Sequence, residues 1–420
     1  MLRSARAGLI VLTAINLLNY LDRYVVAALV STLTAAPPIG LGLSAAQSGW
    51  LASGFIIVYL LTAPWFGALA DRRSRPRLIA VGVVIWAITT AAGALAGGFA
   101  TLLAARSLVG VGEAAYGTAA PAMLADLYPL ARRGRIYAVF YAAIPLGAAI
   151  GFAIGGLAEQ TFGWRAAFLV AAAPGVGLAG LAWALADPPR GASDPGSVVA
   201  AHAGAAMRTA WRDYVRLFSQ RDYALDVLGY AAYTFALGAL AFWAPDFLQQ
   251  VHHLSKIDST VTFGATLAIT GLIGTLLGGW LADHVRARRT RADVWVCALS
   301  MLLAFPFVLL VIRADAAAVY MPALIVAELL LFVSTGPINA AIINSVAVDE
   351  RAKAMAASIV AIHVLGDVPS PPLVGWIADR SSLRDAMLLI AVAVLVSGLL
   401  WLFGALRPGA AEKNHHDEHR

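Results

Sequence analysis

Twelve apolar runs divide this 420-residue chain, near residues 8–30, 48–70, 78–98, 101–124, 136–158, 166–186, 225–247, 261–282, 294–312, 319–343, 354–378 and 386–406. Most are close to the ~20 residues a helix needs to cross a bilayer. Hydrocarbon offers no water to backbone N–H and C=O groups, so each run must satisfy them internally as a helix. The chain is 60% hydrophobic and 13% charged, about half the charge of a soluble protein. The fold class expected is an all-α polytopic membrane protein with twelve transmembrane helices.

Arg3 and Arg6 precede the first run as in a signal peptide, but Asp22 and Arg23 interrupt it and no small-residue cleavage site closes it. It therefore reads as a retained first helix. Cys297 is the only cysteine, which excludes an internal disulfide framework. With the N-terminus cytoplasmic, the inner segments hold 23 of the 30 basic residues, the outer ones only Arg165, Lys256, Arg313, Arg380 and Arg384, and helices Arg23 and Arg106. The positive-inside rule then places both termini in the cytoplasm. The net charge of +6 thus reports orientation, not a nucleic-acid partner. Arginine outnumbers lysine 27 to 3 beside abundant alanine, pointing to a GC-rich bacterial gene and an inner-membrane location. A monomer surrounded by membrane lipid is expected.

A polar segment, 187–221, separates an N-terminal six-helix half (1–186) from a C-terminal one (222–406), and 407–420 forms a tail. The segment begins DPPRGASDPGS, a flexible linker composition. Its second part, MRTAWRDYVRLF, spaces Arg208, Arg212 and Arg216 at i, i+4, i+8 opposite Met207, Trp211, Tyr214, Val215 and Phe218. That suits a helix lying on the inner membrane surface, or an ordinary solvated linker helix. The halves echo each other. Gly67-Ala-Leu-Ala-Asp71 and Gly279-Trp-Leu-Ala-Asp283 close helices two and eight; Gly156-Leu-Ala-Glu159 and Gly375-Trp-Ile-Ala-Asp379 close five and eleven. Each is the middle helix of a three-helix group, as inverted repeats nested in pseudo-symmetric halves require. Two of the motifs run into arginines, and a carboxylate pairing there would latch helix ends during gating. The gating candidates are Gly67, Asp71, Arg72, Arg75, Gly279 and Asp283.

These motifs resemble the major facilitator superfamily, GALADRRSRPR being similar to its loop between helices two and three. A narrower resemblance is to the Spinster family. It is carried by NYLDRY in helix one, Arg106-Ser-Leu-Val-Gly-Val-Gly-Glu-Ala-Ala-Tyr-Gly-Thr-Ala-Ala-Pro121 and Ala125-Asp-Leu-Tyr-Pro129, Phe140 to Gly147, Gly238 to Pro245, and His363-Val-Leu-Gly-Asp-Val-Pro-Ser-Pro371. Ala115 and Gly117 stand where many members carry serine. The resemblance implies a major facilitator fold and transport of an amphipathic lipid, sphingolipid or lysophospholipid, with proton coupling. It makes Asp22 and Glu113 the protonatable pair and Arg106 their partner.

The positions of these residues lead to the same trio. A charge at membrane depth costs ~2.5–3.5 kcal/mol on insertion scales, so it faces a cavity or a partner. Helix one rises from the inside and helix four descends from the outside, which puts Asp22 and Arg106 within ~2 Å of the same depth. Arg106 and Glu113 are seven residues apart on one helix face. One arginine is thereby placed to serve two carboxylates in turn. The alternative is a static ion pair bracing helices one and four. Arg23 is assigned either to Asp22 or to a substrate headgroup. Further cavity candidates are Tyr20, Tyr116, Glu328, His363, Asp367 and Trp243, with Tyr230, Tyr233, Phe235 and Phe242 as aromatic lining. Pro145, Gly147, Gly151 and Gly155 form a small-residue stripe for close helix packing.

P-loop, HExxH and GxSxG strings are absent, so neither an enzyme nor an ATP-driven pump is expected. No metal site or cofactor is expected. The reading is a proton-coupled secondary transporter of a small amphipathic substrate. Its alternatives are a carrier of small organic anions, a multidrug exporter, or a non-transporting membrane receptor.

Overall fold

The computed structural model describes residues 4–193, 211–347 and 350–407. Twelve long helices run through them: α1 Ala5–Ala28, α2 Ala45–Arg72, α3 Arg75–Gly93, α4 Phe99–Leu127, α5 Leu130–Phe162, α6 Trp164–Trp183, α7 Arg221–Gln250, α8 Lys256–Arg286, α9 Ala292–Arg313, α10 Ala317–Val333 continued by Thr335–Asn344, α11 Arg351–Ile362 continued through Ser370–Ala378, and α12 Leu383–Ala405. Eleven are long and apolar enough to span a membrane, and α4 is the exception. Arg106 and Glu113 are what lower its hydropathy.

Local chemistry sets the ends. Ser4 accepts from the Ala7 amide at 3.0 Å, Ser382 accepts from the Asp385 amide at 3.1 Å, and Ser44 and Gln47 form a reciprocal capping box. Each satisfies an amide that the first turn leaves unpaired. Pro76 sits in the first turn of α3, where its missing N–H has no intrahelical partner to lose.

Two runs expected as continuous helices are interrupted. Pro337 cannot bond the carbonyl four residues back, at Val333, and α10 breaks at Ser334. That freed carbonyl meets α8, where a Cβ on Gly278 would lie only 1.9 Å from it. In α11, residues His363–Asp367 form a π-helical turn, with Pro369, Pro371 and Pro372 following. The prolines withhold N–H partners from the carbonyls of Leu365, Asp367 and Val368, and a widened turn accommodates the loss.

The chain forms two compact units, one holding α1–α6 with residues 241–268 of α7 and α8, the other holding the rest of α7 and α8 with α9–α12. Sequence division at 187–221 would leave 241–268 with the second half. Direct packing draws the segment to the first instead: Lys256 pairs with Glu159 at 2.9 Å, Phe263 meets Phe152 edge-on at 5.2 Å, and Gly156 and Gly264 admit Thr260 and Ala149 at close range. Within this unit α1 lies on α5, α2 on α4, and α3 on α4 and α6; in the second, α9 lies on α10 and α12. The α1–α5 seam is the glycine stripe. A Cβ on Gly147 would stand 2.6 Å from the Leu17 oxygen, and one on Gly151 2.4 Å from the Leu21 oxygen. This backbone contact fixes the rotation of α1 around Asp22 and Arg23.

Leu61, Trp65, Ile88, Leu95, Leu276 and Trp280 are among the many large apolar residues left exposed. In a multi-pass membrane protein these form the surface toward lipid.

The linker contains a short helix, Trp211–Ser219. Met207 and Arg208 lie outside the described residues, as do the side chains of Trp211, Arg212 and Tyr214. Arg216 pairs with Glu350, to which Gln220 also donates at 3.1 Å, and Leu217 is buried. This arginine is therefore turned to a carboxylate of its own unit.

Candidate functional site

Asp22, Arg106 and Glu113 are nearly inaccessible, at 1, 3 and 0% side-chain exposure. Oδ2 of Asp22 accepts from Arg106 Nη1 and from Thr90 Oγ1, both at 3.1 Å, joining α1, α4 and α3. Oδ1 of Asp22 and Nε of Arg106 have no hydrogen-bond partner among the described residues. Glu113 Oε2 accepts from Nε and Nη2 of Arg23, at 3.0 and 2.8 Å. Asn19 adjoins the same carboxylate.

The expected single shared arginine is therefore replaced in this state by two parallel ion pairs. Helix geometry explains the exchange. Side chains lean toward their own helix N-terminus. Arg106 leans toward the start of α4, away from Glu113. Arg23, on a helix of opposite direction, leans the way α4 runs, toward Glu113 at the middle of that helix.

Arg23 is also the one member of the four that retains access, its side chain being 29% exposed. Its guanidinium carbon lies 4.6 Å from the Phe55 ring centroid, 4.9 Å from Tyr20 and 5.9 Å from Tyr59. Three aromatic faces and one carboxylate hold it. Tyr116, by contrast, is buried and donates to the Leu12 carbonyl at 2.7 Å. Trp243 is buried against Phe242. Neither presents surface to a cavity in this state. Phe55, Tyr59, Thr90 and Asn19 had no distinguishing sign in the sequence except Asn19, a polar residue one helical turn before Asp22.

Among the gating candidates, Arg75 is the most engaged. It is buried, donates to Asp187 at 2.9 Å and to the Pro188 carbonyl at 2.6 Å, and pairs with Asp126. Asp71 and Arg72 are exposed. Asp283 pairs with Arg286 at 2.9 Å, an exposed contact three residues apart within α8 and not a bond between helix ends. A Cβ added at Gly67 or Gly279 would meet nothing within 4 Å, so neither glycine is required by packing inside its unit. The glutamate that closes α5 makes the contact sequence reasoning missed: Glu159 accepts from Thr32 at 2.8 Å besides pairing with Lys256.

In the second unit, Glu328 is fully buried and accepts from Thr270 at 3.2 Å. His363 Nδ1 lies 2.9 Å from both carboxylate oxygens of Asp367 within the π-helical turn. Gly238 of α7 approaches so closely that a Cβ there would be 2.7 Å from that of Asp367. Tyr233 hydrogen-bonds Thr335 at 3.0 Å. No group of His, Cys, Asp and Glu suited to a metal occurs among the described residues.

The family model of the Major Facilitator Superfamily matches residues 12–366. Protein spinster homolog 3 of Danio rerio is 34% identical over 400 residues, covering 90% of this chain and 78% of the relative. Protein spinster homolog 1 of Homo sapiens is 34% identical over 403 residues, covering 90% and 74%. A crystal structure described as a bacterial homologue of the human lysosomal transporter Spinster, inward-facing and unoccupied, superposes with a TM-score of 0.84 at 22% identity, covering 96% of this chain and 97% of that one. A D-xylose–proton symporter shares the fold at a TM-score of 0.70 and 15% identity, covering 94% and 96%. With twelve long helices, buried ion pairs at membrane depth and this kinship, the chain is a multi-pass membrane transporter that belongs to the Spinster family of the major facilitator superfamily.

Proposed function

We propose that this transporter works by alternating access and couples an amphipathic lipid, of the lysophospholipid or sphingolipid kind, to protons through Asp22, Arg106 and Glu113, with Arg23 receiving the headgroup. The observation that carries this reading is the pair of adjacent buried ion pairs in which only Arg23 keeps solvent access. An anionic headgroup reaching Arg23 competes with Glu113 for its donors. Glu113, deprived of its counter-charge in apolar surroundings, then takes up a proton. Lipid and proton thereby raise each other's affinity, as linkage requires. Arg106 stays paired with Asp22 until rocking of the helices separates them. The latches around Asp71, Arg72, Arg75 and Asp283, with Gly67 and Gly279 beside them, belong to that rocking.

The test is flux of labelled lysophospholipid, with cationic sphingosine as the contrast, in proteoliposomes with and without a pH gradient, for wild type and Glu113→Gln. Gradient-driven flux that falls at least tenfold in the variant is the expected result. Flux indifferent to both gradient and substitution would remove proton coupling. Folded protein with no lipid flux would remove the substrate class and turn attention to small organic anions.

A further inference from the structure

A cleft with no part in that scheme lies in the second unit, between the α8–α9 loop and the end of α10. It measures about 560 Å³ and is lined by residues 286–294, Ala341, Asn344, Ser345 and Asp222. Four arginines border it, and they are not equivalent. Arg286 is held by Asp283 and Asp293, each at 2.9 Å. Arg291 is held by Asp222 at 3.0 Å, Asp226 at 2.8 Å and the Gly404 carbonyl at 2.8 Å. Arg288 and Arg289 are exposed and make no ion pair among the described residues. Arg289 rests 5.4 Å from the Trp295 ring centroid, which keeps it beside the cleft.

The corresponding place in the first unit contains anionic oxygens. There the α2–α3 loop meets the end of α4, and the chain leaving α6 folds back into the gap. Asp187 accepts from Arg75 Nε at 2.9 Å and from the Arg75 amide at 3.2 Å. Asp126, at the end of α4, pairs with Arg75 and accepts from the Gly191 amide at 2.8 Å. In the second unit Arg291 takes its anionic oxygens from Asp222 and Asp226 and Arg286 from Asp283 and Asp293, while the end of α10 offers neutral Asn344 and Ser345, and the gap stays open beside Arg288 and Arg289.

We propose that this cleft binds an anionic phosphate group through Arg288 and Arg289, the two bordering arginines that Asp222, Asp226, Asp283 and Asp293 leave without an ion pair among the described residues. Guanidinium forks match phosphate geometry, and basic clefts at helix ends on the face assigned to the cytoplasm suit phospholipid headgroups. The volume exceeds one phosphate and admits the glycerol attached to it. The site is separate from Arg23 and Glu113, so the bound group is a regulator or anchor and not the cargo.

The test titrates purified full-length protein with dioctanoyl phosphatidic acid, dioctanoyl phosphatidylglycerol, dioctanoyl phosphatidylcholine and inorganic phosphate, read by calorimetry and native mass spectrometry. Anionic ligands are expected to outbind phosphatidylcholine. Arg288→Gln with Arg289→Gln is expected to raise their Kd about 10- to 30-fold. Arg132→Gln with Arg135→Gln, in another exposed basic segment, should leave it within about twofold. The lysine pair Arg288→Lys with Arg289→Lys, which keeps the charge but loses the fork, should raise Kd less than the glutamine pair does. Lipid binding alone, lost in the glutamine pair, identifies a headgroup site; inorganic phosphate binding lost in the same pair identifies a free-phosphate site. Absence of binding, or binding unchanged in that pair, overturns the proposal. So does binding that emerges only after Glu412→Gln, Asp417→Asn and Glu418→Gln, since the occupant is then the chain's own tail.

Discussion

Arg23 follows Asp22 by one position and about 100° around α1, and that rotation separates their partners. Asp22 turns to Arg106 and Thr90, Arg23 to Glu113 and three aromatic rings. Arg23→Lys tests the fork. Lysine keeps the charge but cannot make the two bonds to Oε2 from one planar group. The apparent KM for an anionic lipid should rise about tenfold, one charge-assisted hydrogen bond, while the response to a pH gradient persists. Flux assays over a substrate range separate these effects, and a variant that loses the gradient response with KM unchanged would place Arg23 in coupling instead. Charges inside apolar runs stood out in the sequence, because membrane depth makes them costly. Their pairing did not, because it depends on helix rotation and on the direction each side chain leans. Thr90, Phe55 and Tyr59 carried no signal at all, being ordinary residues in apolar helices until α1 packs beside them.

At the scale of elements, the α5 glycine stripe was legible as spacing, and its partner was not. Four-residue spacing on α5 meets the backbone of α1 near residues 17–25. Gly151→Val should overpack that seam by about 1–3 kcal/mol. It should lower the melting temperature and disturb the Arg23–Glu113 pair with it; a variant with unchanged melting would show that α1 is held elsewhere. The prolines beyond α11 marked a weak point, yet the π-helical turn that sets His363 against Asp367 is a property of the packed helix. The linker helix yields a pH prediction. Hydrogen bonds from Arg216 and Gln220 hold the Glu350 carboxyl below its usual value of 4.5. A depressed acid contributes its stabilisation in full above that value and loses it as pH falls through the lower folded one. Amide protection factors across Trp211–Ser219, taken relative to the intrinsic exchange rate at each pH, should therefore hold down to about pH 4.5 and fall below it. Glu350→Gln should remove that pH dependence.

For the whole molecule, the twelve runs and the six-plus-six echo led to the architecture that the family match and the fold comparison show. The compact units nevertheless differ from the halves, since residues 241–268 pack with α1–α6. Lys256 anchors that segment through Glu159 and Thr32. Lys256→Met should loosen it, so that a cysteine at Thr260, in a Cys297→Ser background, reacts with a maleimide several-fold faster. Equal labelling rates would assign the attachment to Phe152, Phe263 and the glycine contacts alone.

The sequence by itself determined the number of spans, the repeats, and that Asp22, Arg106, Glu113 and Glu328 lie inside apolar runs, because apolar length and the cost of a charge in lipid are read residue by residue. Only the tertiary structure decided that Arg23, and not Arg106, holds Glu113; that Arg75 is enclosed by Asp126 and Asp187; and that Arg288 and Arg289 border an open cleft. Each of these depends on how one helix is turned and spaced against another. That orientation is fixed by glycine contacts, proline breaks and the lean of side chains acting together, and no single run encodes it.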